Sequence, residues 1–216
     1  MSDKDLIQEV VKEVVNRVAG TPAPQELFSV PIGVSARHIH VCQAHLEELF
    51  GRGYQLKVFK DLTQPGQYAA EEQVTLVGPK GVLQKVRILG PCRSKTQIEV
   101  SQTDAYALGI GNVPTRDSGD LENSPGIIIC GPNGAVTLKE GVVIAKRHIH
   151  LIPEQAAKYG LVDKDLVKVK IDNERGITFD NVLIRVNDQY AMDFHLDFDE
   201  ANACGAKTGM QGKVYK

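Results

Sequence analysis

The chain has 216 residues, 42% of them hydrophobic and 24% charged, with 25 Lys and Arg against 27 Asp and Glu. That length can bury a real core, in one large domain or in two of about 100 residues each, while a net charge of −2 carries no basic surplus for extended nucleic-acid binding. No apolar run approaches the ~18–20 residues of a membrane span, the first residues lack the uninterrupted apolar core of a secretory signal, and four well-separated cysteines (Cys42, Cys92, Cys130, Cys204) fit a reduced compartment with no disulfide frame.

Residues 4–18 read as an amphipathic helix. Leu6, Ile7, Val10, Val11, Val14, Val15 and Val18 recur at the i, i+3, i+4 spacing, with charged and amide residues on the other face. Gly20-Thr21-Pro22-Ala23-Pro24 then stops it and reads as a stiff linker, so residues 1–24 form an appendage. From about residue 28 the chain is dominated by short β-branched runs between Gly, Pro, Asn and Asp. Examples are 74–77, 82–89, 127–129, 142–145, 166–171 and 182–186. Short helices are expected at 43–50, 103–108, 153–159 and 199–204. Without regular βαβ alternation, the expected class is mainly β: barrels or sandwiches with short capping helices and the N-terminal amphipathic helix.

The chain repeats itself. Val34-Ser35-Ala36-Arg37-His38-Ile39-His40-Val41 matches Ile144-Ala145-Lys146-Arg147-His148-Ile149-His150-Leu151. Each is followed by a helix-like stretch and an apolar run, 56–59 in one case and 166–169 in the other. Residues 97–109 then align without gaps on 193–205, with acids at 104 and 200 and glycines at 109 and 205. Two halves, 28–125 and 126–212, are therefore expected, each built on one plan.

Alternate residues of a strand share a face. Each His-Ile-His therefore presents two imidazoles together and turns Ile39 or Ile149 into a core. The alignment supplies a third group to each pair, Glu99 for His38 and His40 and His195 for His148 and His150. A lone His-x-His is common by chance and most often holds a hydrogen-bonded histidine. Two in equivalent repeat positions, each with a matched third donor, point to two metal sites, and zinc accepts such ligands. Three protein ligands leave open coordination positions, the pattern of a catalytic metal. His45 faces Gln155 in the alignment and reads as a helix-surface histidine; Cys42 and Cys92 read as spectator thiols.

Between Gln73 and Ile98 no acid occurs, while Lys80, Lys85, Arg87, Arg93 and Lys95 do. In a nearly neutral chain this marks a local anion site. The turns Gly78-Pro79-Lys80-Gly81 and Gly90-Pro91-Cys92-Arg93-Ser94 place backbone amides beside cations, which suits phosphate. Lys85 and Lys95 can equally belong to a solvated basic edge.

Together these segments, with Leu62-Thr63-Gln64-Pro65-Gly66-Gln67-Tyr68-Ala69-Ala70-Glu71, Val74-Thr75-Leu76-Val77-Gly78-Pro79-Lys80-Gly81 and Asp199-Glu200-Ala201-Asn202-Ala203, resemble the PduL-type phosphotransacylases, the phosphate propanoyltransferases of bacterial microcompartments. The resemblance spans nearly all of 28–212. It implies two β-barrel domains around two zinc ions per chain, and reversible transfer of a short acyl group (propanoyl or acetyl) between coenzyme A and phosphate. It implies His38, His40 and Glu99 as ligands of one zinc, His148, His150 and His195 as ligands of the other, and Arg93 as the catalytic, phosphate-binding arginine. Val34, Ser35, Lys80, Arg87 and Asn202 match positions associated with coenzyme A. Residues 4–18 look like the segment that directs family members into the microcompartment lumen of the bacterial cytoplasm, through shell or core proteins. A homo-oligomer is expected, with neither nucleic acid nor membrane as partner. A metal-dependent acyl-CoA thioesterase would use the same metals with water as nucleophile. A non-catalytic module of the microcompartment, binding coenzyme A and metal, is the other alternative.

Overall fold

The computed structural model describes residues 3–19 and 25–216. In chain order the elements are α1 (Asp3–Ala19), β1 (Glu26–Ser35), β2 (His38–His40), α2 (Gln43–Phe50), β3 (Val58–Asp61), β4 (Tyr68–Val77), β5 (Val82–Gly90), β6 (Gln97–Glu99) and α3 (Gln102–Leu108). They continue with β7 (Thr115–Arg116), β8 (Ile128–Cys130), β9 (Ala135–Thr137), β10 (Val142–Ala145), β11 (His148–Leu151), α4 (Pro153–Lys158), β12 (Leu166–Lys170), β13 (Thr178–Val186), β14 (Asp193–Asp197), α5 (Phe198–Cys204) and β15 (Gln211–Tyr215). All five expected helices form, within a residue or two of the expected bounds. The expected linker 20–24 lies outside the described residues. On α1 the apolar side chains Leu6, Ile7, Val10, Val11, Val14 and Val15 are exposed. No described helix is long and apolar enough to cross a membrane.

The chain is mainly β, as expected, and carries two sheets. Six strands close a barrel in the order β1-β14-β11-β13-β12-β15, with β15 returning to β1. The other sheet is a half-barrel, β7-β10-β6-β2-β5-β4-β8-β9, with β3 paired to β4. Closure is thus achieved in one unit only. Each sheet has its own core: Ile39, Leu46, Leu76, Ile88, Ile98 and Ile129 are among those buried on the half-barrel, and Val30, Ile32, Ile149, Val169, Ile184 and Phe194 in the barrel.

The repeat is visible in the pairing. In the half-barrel, β2 runs antiparallel to β6 and parallel to β5, and β5 runs antiparallel to β4. In the barrel, β11 runs antiparallel to β14 and parallel to β13, and β13 runs antiparallel to β12. The helices after β6 and β14 match as well. Both α3 and α5 open on a capping box, Ser101 with Asp104 and Asp197 with Glu200, and both end at a left-handed glycine, Gly109 and Gly205.

The sheets do not divide at 125/126. The strand that precedes each His-Ile-His pairs into the other sheet. β1 lies parallel to β14 of the barrel, Gly33 opposite His195, and β10 lies parallel to β6 of the half-barrel, Val143 opposite Glu99. β8 and β9 also belong to the half-barrel. The first half therefore gives one strand, β1, to the barrel, and the second gives three, β8, β9 and β10, to the half-barrel. The expected match of 56–59 with 166–169 is corrected too. β12 corresponds to β4 by its pairing, whereas β3 is an exposed edge strand.

Because two ladders tie the sheets together, both unfold in one transition. Ile88→Ala and Ile184→Ala remove fully buried side chains from different cores, and each is expected to cost about 2–5 kcal/mol. Both substitutions should move the same midpoint in urea, followed by circular dichroism; two resolved transitions would show independent sheets.

Candidate metal centre

Period-2 alternation on β2 and β11 aims His38 with His40, and His148 with His150, to one side. The ring centroids are 5.0 Å apart in the first pair and 4.6 Å in the second. Antiparallel neighbours supply the third group, since β6 sets Glu99 opposite His38 and β14 sets His195 opposite His148. His38 Nε2 lies 3.5 Å from Glu99 Oε2. His195 stands 5.0 Å from His148 and 4.9 Å from His150, centroid to centroid. Within each trio the ligand-capable atoms lie within 4.8 Å of one another. Both expected trios are therefore assembled.

The tautomers are arranged alike in both. His38 Nδ1 donates to the Ala36 carbonyl (2.8 Å) and His148 Nδ1 to that of Lys146 (2.7 Å), so each Nε2 keeps its lone pair. His40 Nδ1 and His150 Nδ1 are buried with no hydrogen-bond partner. A buried polar atom without a partner calls for an explanation, and for two at matched repeat positions, each beside two further ligand-capable groups, a cation would supply one. Burial, and then His38, holds the His40 pKa down at about 3; burial, and then His148 and His195, holds His150 at about 2. Burial also lowers His148, with His195 adding to the effect. Burial opposes ionisation of Glu99, but His38, His40 and the Ser118 hydroxyl together keep its carboxyl below the usual range. At neutral pH these groups are thus in the form that binds a metal.

Residues not foreseen from the sequence hold Glu99 and His195. Gln97 Nε2 donates to Glu99 Oε1 at 2.6 Å, and Ser118 Oγ donates to the same oxygen at 2.9 Å. The Gln97 carbonyl is fixed in turn by the Gly119 amide at 2.8 Å. At the position equivalent to Gln97 stands buried Asp193, whose Oδ2 accepts from His195 Nε2 at 3.1 Å and so leaves Nδ1 unprotonated. An acceptor ligand has a donor behind it, and a donor ligand has an acceptor. Gln97 and Asp193 were detectable as matched positions two residues before each third ligand; Ser118, in a loop, carries no such signal. Gly33 is required by close approach, because a Cβ there would lie 2.7 Å from Asp193 Oδ2 and 3.0 Å from His195 Cδ2.

Arg93 Nη1 donates to Ser118 Oγ at 3.2 Å, which ties the arginine to the hydroxyl bonded to Glu99. Burial lowers its pKa and Glu99 opposes this. A cleft beside both trios is lined by Ser35, Ala36, Arg37, Glu99, His148 and His195, among others. Of the five positions matched to coenzyme A, Ser35 lines this cleft. The Val34 amide donates to Thr208 Oγ1 at 3.2 Å, and Asn202 is exposed on α5. Arg87 donates to the Ala70 carbonyl at 2.6 Å and lies 4.6 Å from the Phe59 ring centroid.

Two expectations fail on local geometry. The Gly78–Gly81 turn is not an open anion cradle. Its Gly78 amide bonds to the Gly81 carbonyl, its Lys80 amide bonds to Leu108 at the end of α3, and both glycines pack against α3 carbonyls. His45 is half-buried rather than a surface residue, with Nδ1 2.8 Å from Thr96 Oγ1, a hydroxyl that also reaches Cys42. Lys85 and Lys95 are exposed, as a solvated edge would have them.

Asp193→Ala and Gly33→Val should each lower the affinity for added zinc by about 10–100-fold, because a metal-ligating histidine depends on the group that orients it. Competition against a chromophoric chelator reads this directly. Affinity equal to that of the unsubstituted chain would remove Asp193 from the site.

The family model described as PTAC, phosphate propanoyltransferase, matches residues 31–207. A phosphate propanoyltransferase of Thermotoga maritima is 52% identical over 206 residues, covering 95% of each chain. Those of Clostridioides difficile and Enterococcus faecalis are 45% and 43% identical, covering 99% and 100% of each chain. With both trios and their orienting groups in place, and similarity that runs the length of the fold, the chain belongs to the phosphate propanoyltransferase family.

Proposed function

We propose that the chain is a phosphate acyltransferase that moves a short acyl group, propanoyl or acetyl, between coenzyme A and inorganic phosphate at a dinuclear zinc site. The observation that carries this reading is the pairing of two partnerless buried nitrogens, His40 Nδ1 and His150 Nδ1, with a half-buried arginine tied to the same site through Ser118. His38, His40 and Glu99 would hold one zinc, and His148, His150 and His195 the other. Bound there, the ions would supply Lewis-acid polarisation and positive charge beside the phosphate and the leaving sulfur. Ser35 and the cleft walls would admit the thioester end of coenzyme A; Val34, Lys80, Arg87 and Asn202 would contact the rest of it. Arg93 would hold phosphate oxygens by charged hydrogen bonds and fix the attack direction. A phosphate oxygen forms the new bond to the acyl carbon, the carbon–sulfur bond breaks, and the phosphate proton leaves with the coenzyme A thiolate.

The chain-level reading extends the proposal. Residues 1–24 form a docking appendage, and the exposed apolar stripe on α1 supports docking to shell or core proteins in a microcompartment lumen of the bacterial cytoplasm. The catalytic body is a homo-oligomer.

Thiol release from propanoyl-CoA and acetyl-CoA tests the reaction. It should require phosphate, stop on chelation and return with zinc. Arg93→Ala should reduce kcat/KM for phosphate by about a hundredfold or more, the scale of losing one charged group aimed at the reacting atoms. Release without phosphate would assign a hydrolase instead.

A further inference from the structure

A second arginine stands beside the metal trios. Arg185, on β13, is in register with His150 of β11. Its guanidinium lies 5.9 Å from the centroid of the Tyr190 ring, which in turn lies 4.3 Å from the imidazole of His150. The charge of Arg185 bears on Arg93, His148 and His150, and Tyr190 bears on Arg93 as well. Among the described residues the Arg185 guanidinium has no hydrogen-bond or ion-pair partner. Two half-buried cations that feel one another repel, and an anion between them removes the repulsion.

The loop that carries Tyr190 is fixed from the other sheet. Gln64, 5% exposed, lies between β3 and β4. Its Nε2 donates to the Ala191 carbonyl at 2.8 Å, and its Oε1 accepts from the Ala191 amide at 3.2 Å. That two-point amide clamp sets the residue next to Tyr190, whose ring lies near both His150 and Arg185. The Leu62–Glu71 segment, otherwise without a role, thereby gains one.

We propose that Arg185 is a second phosphate-contacting residue, opposed to Arg93 across the substrate anion, and that Gln64 positions it through Tyr190. A tetrahedral phosphate has oxygens to spare for both guanidiniums, and two forks would fix its rotation where one leaves it free to turn. The inference rests on the phosphate acyltransferase reading above.

The test compares the full-length zinc-loaded enzyme with its Arg185→Gln, Arg185→Lys and Gln64→Ala variants. The readouts are KM for phosphate, KM for propanoyl-CoA, zinc content, and calorimetric titration with inorganic phosphate. Arg185→Gln should raise KM and Kd for phosphate at least about tenfold, the scale of one lost charged hydrogen bond, with KM for propanoyl-CoA and zinc content unchanged. Arg185→Lys should fall between, and Gln64→Ala should shift phosphate in the same direction but less. Phosphate constants within twofold of the parent in both Arg185 variants would overturn the inference and leave the acyltransferase intact. So would equal weakening of both substrates with loss of zinc, which would mark a structural role. If the parent itself neither binds nor needs phosphate, the acyltransferase reading fails instead.

Discussion

The molecule depends on two parallel ladders that cross from one half of the sequence repeat to the other. β1 pairs with β14 and β10 with β6, and each contact lies in register with the third member of a trio: Gly33 beside His195, and Val143 beside Glu99. A repeat whose halves folded separately would build two like sites with nothing to hold them face to face. Here the strand leading into each His-Ile-His is anchored in the opposite sheet, so the two trios are drawn to one junction, and the cleft borders both. Main-chain hydrogen bonds, not side-chain fit, set that spacing.

Within this frame the two trios differ in one residue and in the group behind it. A carboxylate needs a donor to orient it and an imidazole needs an acceptor, which is why Gln97 and Asp193 exchange roles at equivalent positions. The exchange also changes charge. Glu99 brings a carboxylate to its trio, while the other trio is built of imidazoles alone. Two divalent ions would therefore present unequal positive charge to whatever lies between them. Arg93 stands on the Glu99 side through Ser118, and Arg185 stands beside His150.

Much of the site was legible in the sequence because it rests on short-range rules. Alternation put both imidazoles of each pair on one face, and a gapless alignment of 97–109 on 193–205 delivered Glu99 and His195. Helices were found from local cap and proline signals too, and in the structure Ser101 with Asp104 and Asp197 with Glu200 cap two of them. What escaped is set by long-range pairing. A repeat says that two segments are alike, not which sheet a strand joins, and β1 buries the same apolar residues on either choice. The β3 run looks like β12 in hydropathy yet lies on an exposed edge. The Gly78–Gly81 turn resembles an anion cradle until α3 is packed under it. Gln64 and Ala191, 127 residues apart, meet through a clamp that no local pattern announces.

The pairing of β1 has a further consequence, for synthesis. Glu26 and Tyr215 are ladder partners, so the barrel is closed by the first strand of the body and the last. On the ribosome β1 emerges early and finds neither β14 nor β15. It must stay solvated and unpaired until those two strands have been made. The half-barrel likewise waits for β10 before its β6 edge is covered. Such contacts of long sequence separation fold slowly, and closing the barrel needs both β1 and β15. The exposed apolar stripe of α1 precedes β1 and is displayed before the barrel behind it has closed.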